Sequence, residues 1–423
     1  MKEPLPFAAF IASAALLATG YGVVAERYGL FPAPQIVGAI ETAHELSANW
    51  RNDFGIEPTR HLVEARRTGR AGPDEARVDH QPGGGAPGMV LVAGLDVDQD
   101  RAHHAVTLQD EEGVPRHVWP VRYERLVPDG TRPQNTMLHG MEAFADGSLV
   151  VAFDGGDALA RIDACGDPMW VRRGAYHHSI AKGEDGALWT WRELAIEKID
   201  PETGETLHSL DLMTQVAAAG DPVHGQHGVF SIRAHALREG RAYDNDPLHP
   251  NDVEPLSSAM ASAFPMFEAG DLLISLREIN LVAVIDPDDG ALRWAKHGPW
   301  HKQHDPDFQP DGTITLFDNA TGSGASRILR VDPATDAVST VYQGDEGAPF
   351  YSFQRGKHQM LPGGGVLVAE AEHGRIFETA ADASLIWEQE AMWDAERNVI
   401  VTEARKIPHE FFAAGQPSCA ARD

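Results

Sequence analysis

Five stretches of this chain share one phrase, a turn glycine followed at once by a short β-type run. They are Gly147 before "SLVVAF", Gly186 before "ALWTW", Gly270 before "DLLISL", Gly312 before "TITLF" and Gly365 before "VLVAEA". Each run leads to a second that ends on an apolar-acid step: "RID" (161–163), "KID" (198–200), "VID" (284–286), "RVD" (330–332) and "IFE" (376–378). A third follows in "PMWVRR", "ALRWAKH" and "SLIWEQE", and an earlier unit, "MVLVAGLDVD", "HHAVTLQD" and "PRHVWPV", makes six in all. Multi-strand repeats of roughly 40–50 residues are the mark of propeller blades, which bury their faces only against neighbouring blades. The chain from 89 to 423 is therefore expected to be an all-β, six-bladed β-propeller. The late run "NVIVTEARKI" (398–407) is expected to pair with the first unit and close the ring, removing the open sheet edge.

The first 88 residues have a different character. Leu5–Val24 carries no charged residue, and a run of about 20 apolar positions matches the thickness of a hydrocarbon core. Residues 1–30 read as an uncleaved transmembrane signal-anchor, with a cleavable signal peptide as the rival reading. Lys2 and the free amine favour a cytoplasmic N-terminus, with the rest of the chain across the membrane. Residues 31–88 read as a helical stretch and then an Arg/Pro/Gly linker with too few apolar residues to pack well. A formal net charge of −28 with no Lys/Arg-rich run excludes nucleic acid as a partner, because phosphate binding needs clustered cations. The two cysteines, Cys165 and Cys419, read as unpaired, since nothing in the sequence brings them together.

Histidines recur in register with the glycines. His139, His178 and His304 each stand eight residues before theirs; His358 is one residue closer, and His249 reaches Gly270 only across an insertion that contains "EPLSSAMASAFPM". Equivalent positions of successive blades surround one axis, so these five histidines are expected to converge at one mouth of the channel. Asn251 lies two residues beyond His249, on the same side of an extended chain. Arg277, in "SLREINL", sits in a run otherwise suited to burial and calls for an anion. Arg192, also followed by Glu, reads as its counterpart, engaged in an Arg–Glu pair within its blade.

The phrases "HHSI" (177–180), "HPND" (249–252), "SLREINLVAVID" (275–286) and "QHDPDFQPDGTITLFDNA" (303–320), in that order, resemble the bacterial arylsulfate sulfotransferases. These are six-bladed propellers that work without a nucleotide sulfate donor. The resemblance implies a sulfuryl transfer from an aryl sulfate ester to a phenolic acceptor, by a ping-pong route through a sulfo-histidine and with no cofactor. It assigns His304 as the sulfated residue and His178, His249, Asn251 and Arg277 as ligands of the sulfuryl oxygens. His139, His358, Asp318 and Asn319 are second candidates. The anchor reading, by contrast with the better-known members, which are secreted, implies a single-pass protein of the bacterial inner membrane with the propeller in the periplasm. The chain departs from the better-known members in lacking their N-terminal β-sandwich and the cysteine pair near their active site.

Three other readings compete. "HGPWHKQH" sets histidines at i, i+4 and i+7, a metal-binding spacing on a helix, but Pro299 opposes a helix, and no metal is expected. Trp170, Trp294 and Trp387 recur as in quinoprotein propellers, at positions that suit packing between blades. A non-catalytic, membrane-anchored propeller that binds a protein partner or small ligand is the functional alternative.

Overall fold

The computed structural model describes residues 5–28, 31–32, 35–36, 39, 59–67, 76–98, 101–130, 136–212 and 248–419. The repeat folds as its glycines indicate. Each turn glycine joins the innermost strand of a sheet to the second, and the strands that follow run outward as antiparallel neighbours. Blades 2 to 6 begin at Met137, Tyr176, Pro250, His304 and Lys357. Blade 1 takes its innermost strand, Val401–Ile407, from the far end of the chain, where it pairs with Met89–Asp98 and closes the ring.

Strict alternation along each strand sends successive side chains to opposite blade faces, so each junction between blades gains its own apolar cluster. In the second strand of blade 2, Leu149, Val151 and Phe153 pack toward blade 1 with Leu91 and Trp119. Val150 and Ala152, between them, pack toward blade 3 with Tyr176 and Leu188. The insertion in blade 4 also contributes: Phe264 lies edge-on to Phe308 of blade 5, with 5.0 Å between ring centroids.

The innermost strands carry the feature that builds the site. In blades 1 to 5 each breaks register with its neighbour near its start, at Val401/Glu403, Leu138/Met141, His177/Ile180, Pro250/Asp252 and His304/Asp307. A bulge of this kind bends the strand and re-aims a side chain. Blade 6 has none; Lys357–Met360 pairs without interruption.

Two expectations need correction. Cys165 and Cys419 form a disulfide across 254 residues of sequence. Ring closure carries the chain's end from blade 1 onto blade 2, where Ala413 also donates to the Ala145 carbonyl at 2.9 Å. Closing so long a loop is worth up to about 5 kcal/mol in the chain-entropy account. Cys165→Ser is expected to lower the unfolding free energy by about 2–5 kcal/mol in denaturant titrations without reductant, and reductant should then have no further effect.

The stretch read as a poorly packed linker docks at two places. Leu62–Glu64 pairs with Arg397–Val399, and Arg77–Asp79 adds a fifth strand to the outer edge of blade 6. Strands of three residues carry no readable period, and side chains far along the chain hold them. The Arg66 guanidinium meets the buried Glu370 carboxylate, and His61 Nε2 bonds the Thr136 carbonyl at 2.9 Å. At the N-terminus Leu5–Tyr28 is a 24-residue helix. Its side chains are described from 9 to 25, and among the described residues no helix is long and apolar enough to cross a membrane.

Candidate active site

At the bulges, histidines from four blades turn toward one another: His139, His178, His249 and His304. His178 and His249 adopt left-handed backbone angles (φ 64° and 46°), as does Asp305 beside His304 (φ 53°). Such angles cost non-glycine residues of order 1–3 kcal/mol and persist where the surroundings impose them. Between His139 and the next blade only glycine fits. Gly140 has φ 118°, and a Cβ there would stand 2.9 Å from the His178 carbonyl oxygen. The result is a histidine cluster around His178, whose ring centroid lies 4.4 Å from His139, 4.9 Å from His249 and 6.4 Å from His304.

Hydrogen bonds decide which nitrogen of each ring carries the proton. Asn319 donates its amide to the carbonyls of Ser352 (2.8 Å) and Arg355 (2.9 Å), which fixes its Oδ1 toward His304 at 2.7 Å. His304 Nδ1 must therefore donate, and the lone pair sits on Nε2. That Nε2 is buried and has no hydrogen-bond partner among the described residues. Arg277, which can only donate, brings Nη1 to 3.3 Å from His249 Nε2, so the proton of a neutral His249 sits on Nδ1. Arg277 is aimed by the Glu278 carboxylate (3.0 Å), itself held by Lys302. The backbone leading into His304 is pinned between blades 4 and 5. Gln303 donates to Ser275 Oγ at 3.0 Å and to the Leu281 carbonyl at 2.8 Å, and Asn251 donates to the Gln303 carbonyl at 2.8 Å.

Burial governs the charge state of these groups. It drives the His304 imidazole well below its usual range, helped by the Arg277 charge and resisted by the bond to Asn319. Burial and the neighbouring His139 do the same to His178, and burial brings His139 down to about 3. Burial opposes ionisation of Asp154, yet Arg355 and His139 hold it at about 2. The cluster thus combines neutral imidazoles with a fixed guanidinium and an ionised carboxylate, a setting for nucleophilic attack on an anionic ester.

One step further along the inner strands the axis opens into a cavity of about 340 Å³, lined among others by Glu142, Asp252, Glu254, Asp305, Lys357 and Glu403. Lys357 bridges Asp252 (2.9 Å) and Asp305 (2.8 Å). Burial lifts Glu254 to about 8, so it is largely protonated at neutral pH and adds little to the negative charge beneath the histidines.

His139, His178, His249, His304, Arg277 and Asn319 come together as the sequence suggests, with Asn251 one layer behind, on the backbone that carries His304. His358 does not join them: its Nδ1 bonds Asp305 at 3.0 Å and its Nε2 bonds Thr315 Oγ1 at 2.8 Å, in the cavity layer. Asp318 is committed to Arg327 and to the His301 amide (2.9 Å). His297 and His301 turn to the carbonyls of Ile279 (2.7 Å) and Thr321 (3.2 Å), so the i, i+4, i+7 set does not converge. Arg192 does pair within its blade, with Glu197 at 2.5 Å, but it is not the counterpart of Arg277: it faces Tyr176, as Leu276 faces Pro250. Trp170 and Trp294 donate to the next blade, to Pro201 O (2.8 Å) and Asp336 (3.2 Å), while Trp387 bonds Glu378 of its own blade. Asp154 escaped the sequence reading although a signal existed. The seventh residue after each turn glycine is polar in all five units: Asp154, Glu193, Arg277, Asn319 and Glu372. His139, Asp154 and His178 also have the spacing of a metal site, as do Asp305, Asp307 and His358. The second set is already bonded to Lys357 and Thr315, and the first lies within the histidine cluster.

No curated protein matches the chain. Among solved structures it is similar to a Bacteroides caccae protein of unknown function, at 11% identity over 72% of this chain and 94% of that one, with a TM-score of 0.47. It is also similar to virginiamycin B lyase from Staphylococcus aureus, at 11% identity over 75% and 89%, TM-score 0.42. The chains of a nidogen/laminin complex give 10% identity over 75% and 97%, TM-score 0.45. Likenesses this low carry no argument about chemistry. The sequence itself does: the model of the Arylsulfotransferase (ASST) family matches residues 140–392, from the bulge beside His139 through blade 6, and the chain belongs to that family of enzymes.

Proposed function

We propose that this enzyme moves a sulfuryl group from an aryl sulfate ester to a phenolic acceptor in two steps, with His304 Nε2 as the nucleophile. The observation that carries the reading is the buried Nε2 without a partner among the described residues, on a ring whose other nitrogen is fixed by Asn319. Nε2 attacks sulfur, the aryl oxide departs, and the sulfo-imidazole then yields the group to the acceptor. Splitting one displacement into two makes each easier, and an imidazole is a good leaving group. Arg277 and His249 Nδ1–H are the donors for the sulfuryl oxygens, and fixed donors of this kind are each worth about 2–4 kcal/mol. Asn251 serves by holding the Gln303 backbone ahead of His304.

Purified protein mixed with 4-nitrophenyl sulfate and phenol is expected to release nitrophenol and form phenyl sulfate, with parallel lines in double-reciprocal plots. Absence of release would overturn the reading. The depressed pKa of His304 makes a further prediction. An imidazole that stays neutral well below its ordinary range loses no nucleophile as pH falls through about 6.5, so kcat/KM for the donor should show no acid limb there. A limb at about 6.5 would mean an imidazole in ordinary solvent.

The proposal extends to location: a single-pass protein of the bacterial inner membrane with the propeller in the periplasm. The N-terminal helix, with Phe10, Ile11, Leu16, Leu17 and Val23 exposed, and a disulfide suited to an oxidising compartment support it. Recovery of the protein in the membrane fraction, with the propeller open to protease in spheroplasts, is expected. A soluble form beginning after residue 20 would mean a cleaved signal peptide instead.

A further inference from the structure

The neighbour of His178 provides a chemistry that sulfuryl binding does not explain. His177 and His178 sit side by side at the blade 3 bulge with their Nδ1 atoms 2.7 Å apart, and His177 Nε2 lies 3.0 Å from the Glu193 carbonyl oxygen. A carbonyl only accepts, so His177 Nε2 carries a proton. The Nδ1 of a neutral His177 is then a lone pair and must accept from His178 Nδ1–H. Neutral His178 therefore presents a bare Nε2, a proton acceptor rather than a donor for a sulfuryl oxygen. Its ring is nearly parallel to that of His304, with 6.4 Å between centroids. His178 is buried, whereas His177 is half-buried, and its far nitrogen lies at the exposed rim.

We infer that His178 and His177 form a proton relay between the acceptor hydroxyl and solvent, with His178 Nε2 as the base and His177 as the exit. The inference rests on the sulfotransfer reading. In the second half-reaction the acceptor O–H bond breaks and its proton passes to His178 Nε2, while the Nδ1 proton of His178 moves to His177 Nδ1. The new S–O bond forms as the S–Nε2 bond of His304 breaks, and His304 leaves as a neutral imidazole that keeps Nδ1–H. The relay ends with one extra proton, as His177 imidazolium beside a neutral His178 protonated on Nε2. In the next first half-reaction a basic aryl oxide takes that proton back from His178 Nε2 as it departs. A weakly basic leaving group such as nitrophenolate does not, and one proton per turnover must then leave through His177. Burial favours this division, because it keeps His178 from holding positive charge while His177 can give its proton to water.

Two measurements test the relay. Nitrogen chemical shifts of the imidazole rings in histidine-labelled protein, without substrate, are expected to show His178 protonated on Nδ1 and bare on Nε2; the opposite tautomer overturns the relay whether or not sulfotransfer occurs. For His177→Gln, transfer from 4-nitrophenyl sulfate to phenol in dilute buffer is expected to fall about tenfold or more, and added imidazole should restore it by carrying the proton. With phenyl sulfate as donor and isotopically labelled phenol as acceptor, the loss should be smaller, because the proton is returned rather than released. Wild-type turnover by His177→Gln in dilute buffer would overturn the relay. So would an equal loss with both donors that imidazole does not relieve, since that is the signature of a structural role. If the wild type itself transfers nothing, the sulfotransfer reading fails, and the tautomer measurement still decides the geometry.

Discussion

Replacing His304 by Asn is expected to lower turnover by at least about 10⁴-fold and to abolish covalent labelling, because it removes the buried Nε2 lone pair that has no partner among the described residues, on the ring whose donor side Asn319 fixes. Wild-type protein incubated with an aryl sulfate and no acceptor should gain one sulfuryl group on His304, lost in acid as the imidazole nitrogen is protonated. In the variant, intact-mass spectra should show no such gain. The fold should survive. His304 is a mouth residue whose side chain bonds through Nδ1 alone, to Asn319 Oδ1 (2.7 Å) and the Lys302 carbonyl (3.2 Å), and the cost of its loss is mainly the Asn319 Oδ1 left without a partner, about 1–3 kcal/mol. Circular dichroism and melting of the variant separate this from unfolding. Label on another histidine, or equal turnover by wild type and variant, would remove His304 from the nucleophile's role.

The six blades were legible because each depends on a local signal, a glycine turn between two short strands of period two. The histidine column was legible for the same reason, since it keeps register with those turns. What set His358 apart was legible too, although its meaning was not. His139, His178 and His304 precede their glycines by eight residues, and His358 by seven. The bulge falls at that residue in blades 2 and 3 and directly after it in blade 5; the blade 6 strand pairs without a bulge, and its histidine points into the cavity layer. Single residues thus decided which side chains reach the mouth. Contacts between distant parts of the chain were beyond reading. Nothing local to Cys165 or Cys419 reveals that ring closure brings them together, and nothing in "ARR" (65–67) reveals that Arg66 will meet Glu370, 304 residues on.

Asn319 bears the second large effect. Its amide nitrogen is committed to two backbone carbonyls, so its oxygen faces His304 Nδ1 with no freedom to flip. Removing that oxygen leaves only the longer contact to the Lys302 carbonyl (3.2 Å) to hold the proton on Nδ1, so the tautomer protonated on Nε2, which has no lone pair for sulfur, gains population. Asn319→Ala is therefore expected to lower kcat by about 10²–10³-fold with little change in KM, because bound donor still meets Arg277 and His249 while the reactive tautomer becomes scarce. Asn319→Asp separates tautomer control from packing. A carboxylate still accepts from Nδ1, but it sets negative oxygen against the Ser352 and Arg355 carbonyls, which costs stability and not the tautomer. That variant should melt lower than wild type and yet retain more activity than Asn319→Ala at temperatures where both are folded. If Asn319→Ala matched the wild type, or lost activity only through a raised KM, the His304 tautomer would not depend on Asn319, and the lone pair at Nε2 would need another cause.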